Sequence, residues 1–207
     1  MSPDSTLGDA IWLAARSAGL VAYVLVGAST LLGLLQSTRT LAPQRRMALR
    51  PLHEALAVMS ILAVVLHGAL LLADPWLRPG LAGIVIPFAS PYRPLAVALG
   101  VVGFYLTLLI GPTYYLRQRL GGHRRWRAVH AFAPAAYALV TLHVILAGSD
   151  ASTVWLRFLV GALTGPILVL AALRVLDAQA SAESRPASRS STASPSSESS
   201  TTSASNV

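Results

Sequence analysis

Long apolar blocks dominate the chain, and short clusters rich in arginine, proline or glycine separate them. The first block runs from Ala10 to about Leu35, with Arg16 as its only charge. The segment Gln36–Arg50 is polar and basic. Pro51 then opens a second block, since a proline suits a helix's first turn, where its missing N–H is not needed. That block ends near Ala73, before Asp74-Pro75. Further blocks cover Leu95–Leu116, about Ala128–Ala147, and Val154 to about Leu176. Each matches the ~20 residues that a helix needs to cross ~30 Å of hydrocarbon. The pattern predicts an all-α fold: a polytopic transmembrane helix bundle of about five spans.

The connecting segments differ in kind. Trp76–Pro94 is irregular and holds Pro79, Pro87, Pro91 and Pro94. Within it Leu81–Phe88 is apolar but too short to span, and is expected to lie in the interface over the bundle. Residues 1–9 are polar and acidic and form an N-terminal segment outside the bundle. Residues 177–207 are mostly Ser, Thr, Ala and Pro and cannot bury a core, so a disordered C-terminal tail is expected.

Composition agrees with a bilayer as solvent. Hydrophobic residues make up 54% of the chain and charged residues 12%, against roughly 25% charged in a soluble domain. All sixteen basic residues are Arg, and the net charge is +8. Nine of these Arg lie in the 36–50 and 117–127 loops, where topology rather than nucleic acid explains them. The 74–94 loop has two and the 148–153 turn none. Positive loops stay inside. The expected location is the cell membrane, with an extracytoplasmic N-terminus and a cytoplasmic C-terminus. There is no Cys, which excludes disulfides, thiolate catalysis and Cys-ligated clusters.

Four of the five histidines lie in apolar blocks: His53 and His67 in the second, His130 and His143 in the fourth. Ionisable groups inside a membrane are costly and mark function. A single one would leave an interhelical hydrogen bond and a ligand equally open. Two pairs with no carboxylate in the same blocks except Glu54, at the membrane edge, disfavour a mixed-ligand zinc or iron site. Neutral imidazole is an axial ligand for haem iron. His53 and His67 are separated by about 21 Å along a helix, and His130 and His143 by about 19.5 Å. One span intervenes, so the two helices run parallel. His53 then lies level with His130, and His67 with His143. Each pair can clamp one haem b, with irons roughly 20 Å apart along the membrane normal. Azimuth is less simple. Fourteen steps leave His53 and His67 about 40° apart, whereas thirteen leave His130 and His143 about 140° apart on a straight helix. Pro134 lies between the latter two and supplies a kink.

The paired histidines, with "LHEALAVMSILAVVLH", "IPFASPYRPLAVALG" and "GHRRWRAVHAFAPAAYALVTLHVI" around them, resemble the ferric reductase-like transmembrane domain, which also forms the membrane core of the NADPH oxidases. The resemblance covers roughly residues 10–175, within a helical domain of 10–176. It implies a diheme b-type cytochrome that carries electrons from a cytoplasmic flavoprotein reductase to an external acceptor. His53, His67, His130 and His143 are the implied haem and metal ligands, with no separate catalytic residue. The chain departs from family enzymes that continue into a flavin and nicotinamide module: it has no strand, Gly-rich turn and helix to hold flavin or NAD(P). As an oxidoreductase it would be the membrane haem component alone.

Anionic haem propionates prefer Arg partners. Arg16, Arg78 and Arg93 are candidates at the outer site, Arg16 foremost because it sits within an apolar span. Arg50, Arg125 and Arg127 are candidates at the inner one. Gly27, Gly33, Gly68, Gly103 and Gly111 would give room to a porphyrin, and Trp126, Phe132, Tyr105 and Tyr137 could line its edge. Two other readings stand beside electron transfer: a non-catalytic haem-bearing subunit or sensor of a larger complex, and a His-dependent transporter. The transporter lacks intramembrane acids and an inverted repeat.

Overall fold

A computed structural model of the chain describes residues 3–38, 41–111, 113–116, 118–119 and 121–183. Every regular element among them is helical: α1 (Pro3–Ser37), α2 (Pro43–Ala73), α3 (Gly80–Val85), α4 (Pro94–Ile110), α5 (Thr113–Leu116), α6 (His123–His130), α7 (Ala133–Ala147) and α8 (Val154–Glu183). Four stretches are long and apolar enough to cross a bilayer: Thr6–Ser37, Pro43–Ala73, His123–Ala147 and Val154–Ser181. The fifth, α4, has 17 residues, at the lower end of a spanning length. The protein is a multi-pass membrane bundle of helices.

Several boundaries differ from the sequence expectation. α1 begins at Pro3, so residues 3–9 extend the helix instead of forming a separate segment. α2 begins at Pro43, and Pro51 lies inside it; the good helix formers Gln44 to Leu49 start the helix early. α8 continues through residues 177–183, whose Ala, Gln and Glu favour helix. The rest of the Ser-rich tail, and Arg39 and Arg117 of the basic loops, lie outside the described residues.

The bundle is built from two tight helix pairs. α1 packs along α2 and α4 along α7, while α2 touches α4 only lightly. α8 covers α1 and meets α7. Apolar attraction cannot drive helices together in lipid, so close packing of small residues must contribute. Ala15, Ala18, Ala22, Ala96 and Ala98 are all buried. Large apolar side chains such as Leu62, Leu66, Phe158 and Leu168 point outward, as a lipid-facing surface requires. Among the described residues an apolar core joins α1, α7 and α8 through Tyr23, Leu34, Tyr137, Ile167 and Leu170. The Tyr23 and Tyr137 rings stack at 5.8 Å, and their hydroxyls hydrogen-bond at 3.0 Å. Tyr137 is bonded in turn to Thr164 of α8 at 2.9 Å. Buried hydroxyls are thus satisfied, as a membrane interior demands.

The segment between α2 and α4 folds over one end of the bundle. Asp74 starts it by accepting the Trp76 and Leu77 N–H groups at 2.8 and 3.0 Å. Arg78, Phe88 and Arg93 take left-handed backbone angles (φ of 39°, 68° and 40°), a conformation that costs a non-glycine residue about 1–3 kcal/mol. The turns they make carry α3 back across the ends of α2 and α4.

Candidate functional site

Two histidine sites lie between the helix pairs. At the α3 end, His67 of α2 and His143 of α7 line one cavity of about 750 Å³. At the opposite, arginine-rich end, His53 of α2 and His130 of α6 line a cavity of about 60 Å³. The structure therefore groups His67 with His143 and His53 with His130. His123 belongs to neither pair. It opens α6, and its ring lies 5.1 Å from that of Trp126.

A break between α6 and α7 separates His130 from His143. Pro134 has no N–H for the carbonyl of His130 four residues earlier, and its ring crowds that carbonyl. The helix stops at His130, turns through Ala131 and Phe132, and resumes at Ala133. Phe132 N–H bonds to Val129 O at 3.1 Å, a tightened turn.

Three of the rings have one nitrogen fixed. Nδ1 of His67 donates to Ala15 O at 2.7 Å, Nδ1 of His143 to Ala96 O at 2.8 Å, and Nδ1 of His53 to Ser29 O at 2.9 Å. A carbonyl can only accept, so the proton is on Nδ1, and Nε2 of the neutral ring carries a bare lone pair. Metal-bound histidines are oriented in the same manner. Ser29 Oγ adds a contact to His53 Nδ1 at 3.2 Å. His53 and His130 have ring centroids 6.0 Å apart at 81°. Two imidazoles that share one metal ion through Nε2, at ~2 Å each, have centroids separated by about this much.

The α3-end cavity is apolar along most of its wall and charged at its mouth. Phe104, Val101, Leu71 and Leu156 line it, α3 contributes Ile84 and Val85, and Trp12, Arg16 and Asp150 stand at one side. Arg16 forms an ion pair and hydrogen bond with Asp150, and its guanidinium sits 5.1 Å over the Trp12 ring. It is a partly buried link between α1 and the turn before α8. Arg78 and Arg93, expected beside it, are turned elsewhere. Arg78 Nε donates to Pro75 O at 2.9 Å and Arg93 Nη1 to Leu146 O at 2.6 Å.

The four paired histidines, Arg16 and Asp150 fall inside one recognisable unit, because residues 10–150 match a single domain family. The chain belongs to DUF8596, a domain family of unknown function. No curated protein matches the chain, and no solved structure does. The DUF8596 span contains most of α1, all of α2 to α7, the four paired histidines, Arg16 and its partner Asp150. α8 lies beyond it.

Two residues that the sequence had not singled out, Asp150 and Arg174, act at these sites, together with the candidate Trp126. Asp150 carries the counter-charge of Arg16; it is the only acid in the 148–153 turn, a legible signal. Trp126 stacks on His130 with centroids 5.0 Å apart, and its position one turn earlier on the same helix was also legible. Arg174, on α8 outside the DUF8596 span, acts on His130 electrostatically. Only the fold brings it there. Among the aromatic candidates, Tyr137 is in the core, Phe132 is exposed at the helix break, and Tyr105 donates to Val85 O.

Proposed function

We propose that this DUF8596 protein is a b-type cytochrome that passes electrons across the bilayer through two haems, as the resemblance to the ferric reductase-like transmembrane domain implies. The observation that carries the reading is the pair of level histidine sites with Nε2 left bare on at least three rings. Among the described residues no three His, Asp or Glu side chains gather at one point. Each site therefore offers two protein ligands, the number of axial positions that a porphyrin leaves on iron.

The fit differs between sites. The α3-end cavity meets both requirements, two imidazoles and a volume of about 750 Å³, in the range of sites that enclose large ligands. The arginine-end pair meets the ligand requirement through its ring spacing, but the cavity that it lines is about 60 Å³ and would have to widen to take a porphyrin. A bound haem supplies a one-electron iron couple. His67 and His143 would hold one group, His53 and His130 the other. Arg16 would face the propionates of the first, while Asp150 holds its guanidinium in position. The wall around His67 and His143 is mostly apolar, a surface suited to a porphyrin face.

Direction follows from charge. The Arg-rich loops 36–50 and 117–127 belong on the cytoplasmic side, which makes the His53/His130 site the inner one. An acidic flavoprotein surface suits the same loops as electron donor. The acceptor outside would approach the α3 end. Proteoliposomes loaded with a reductant and bathed in impermeant ferricyanide test the reading. Haem-loaded protein should reduce the external dye at least about tenfold faster than its His143→Leu variant, a barrier difference of about 1.4 kcal/mol. Equal rates for the two, with both haems present in the wild type, would overturn transmembrane transfer.

A further inference from the structure

The cavity that holds His67 and His143 has two unlike sides. On one stand Trp12, Arg16 and Asp150, where the Arg16–Asp150 ion pair ties α1 to the turn before α8. The other side faces the gap between α2 and α4, two helices that touch only lightly. Its lining there is apolar: Val65 and Ala69 of α2 and Phe104 of α4. Val65 is 54% exposed, so a residue of the cavity wall also faces the hydrocarbon. This seam opens onto lipid.

α3 crosses the outer end of the seam. Its Ile84 and Val85 line the cavity, and two ties hold it there. Tyr105 of α4 donates its hydroxyl to Val85 O. Ile84 rests on α2 where Gly68 has no side chain; a Cβ at Gly68 would meet only Ile84 Cδ1, at 3.8 Å. On the outer surface Leu81, Ile86 and Phe88 are exposed, apolar anchors suited to the headgroup region. The backbone is left-handed at Arg78 and Gly80 at the start of α3 and at Phe88 after it (φ of 39°, 63° and 68°). At non-glycine residues such angles persist only while their surroundings hold them, so both turns are places where the strap can give.

The two sides are closed unequally. The charge-assisted bond of Arg16 to Asp150 is of a kind roughly twice as strong as a neutral one. The strap depends on a neutral bond and one apolar contact. The lipid side therefore opens first.

We propose that α3 is a strap over a lateral portal, and that the α3-end site is loaded and emptied from the bilayer between α2 and α4. The strap and Arg16 border the same cavity at the same end of the bundle. The propionates of a haem can thus stay at headgroup level, directed to Arg16, while the ring slides between the helices. Nε2 of His67 and of His143 then bind the iron, and no electron is transferred. This rests on the haem reading above and uses only the α3-end site.

Haem is first counted in the purified wild-type protein. The variants are then made in a His53→Leu background, which leaves the α3-end pair as the loaded site. The chain has no Cys of its own, so Gly68→Cys with Ile84→Cys allows α3 to be bridged to α2 by a short bis-thiosulfonate. Haem release from lipid nanodiscs to an excess of an apoglobin is followed by absorbance. Release from the bridged protein should be at least about tenfold slower than from the same protein before bridging, a barrier difference of about 1.4 kcal/mol. Tyr105→Phe should release haem about fivefold faster, as the loss of one neutral hydrogen bond implies. Gly165→Ala, where an added Cβ meets nothing within 4 Å, should release it as the parent does. Equal release before and after bridging would overturn the portal, and an unchanged rate in Tyr105→Phe would overturn the strap that closes it. A wild-type protein without haem would instead overturn the reading beneath.

Discussion

Arg16 shows how much a single charge in an apolar helix depends on its partner. From the chain it is an arginine a turn and a half from a membrane edge. In the fold it is paired with Asp150 across more than a hundred residues of sequence and lies over Trp12. The pair stands at the wall of the 750 Å³ cavity, where a partly buried ion pair is screened less than on a surface. A charge-assisted hydrogen bond contributes about 1.5–3 kcal/mol. Arg16→Ala should therefore weaken haem retention at the α3-end site by about tenfold or more, measured by haem titration of the apoprotein. Retention equal to wild type would confine Arg16 to tying α1 to the turn before α8. The histidines themselves were legible from spacing and membrane cost. Asp150 was visible but had no reason to be chosen until Arg16 was seen beside it. Gly33 stood among the glycine candidates of the chain, whereas Gly19 and Gly100, which lie against His67 and His143, gain meaning only once the helix pairings are known.

At the scale of elements, Pro134 is the decisive residue. It interrupts the helix between His130 and His143, two histidines thirteen residues apart that line the two separate cavities. Pro134→Ala restores an N–H for the His130 carbonyl and removes the clash. The healed helix would turn His130 away from His53, and haem content should fall toward one per chain, read from the absorbance per protein. Full haem content in that variant would mean that tertiary packing alone orients His130. The sequence carried the need for a kink and the residue that makes it. Helix ends were less legible. Pro51 signalled a start that the favourable residues before it overrode, and Asp177 marked a change of composition that the helix outlasts by six residues, to Glu183. Propensity near a helix end decides such boundaries by fractions of a kcal/mol per residue, which hydropathy does not register.

The whole molecule is two antiparallel helix pairs facing each other, with α8 laid against one side. α1 presents two carbonyls to the two histidines of α2, and α4 presents one to α7. Each site is therefore assembled from both pairs, and neither pair forms a site by itself. Nothing in a hydropathy profile distinguishes this arrangement from five helices in any other order. Only the level histidines constrained it, since they required α2 and α7 to run parallel across a gap. The central claim is that the gap holds two haems, one per histidine pair. A pyridine haemochrome assay on protein purified from cells with ample haem supply measures this most directly. The account predicts two haems b per chain, one of them lost on His67→Leu. No haem in the wild-type protein, or a wild-type haem content that the His67→Leu change leaves untouched, would contradict it.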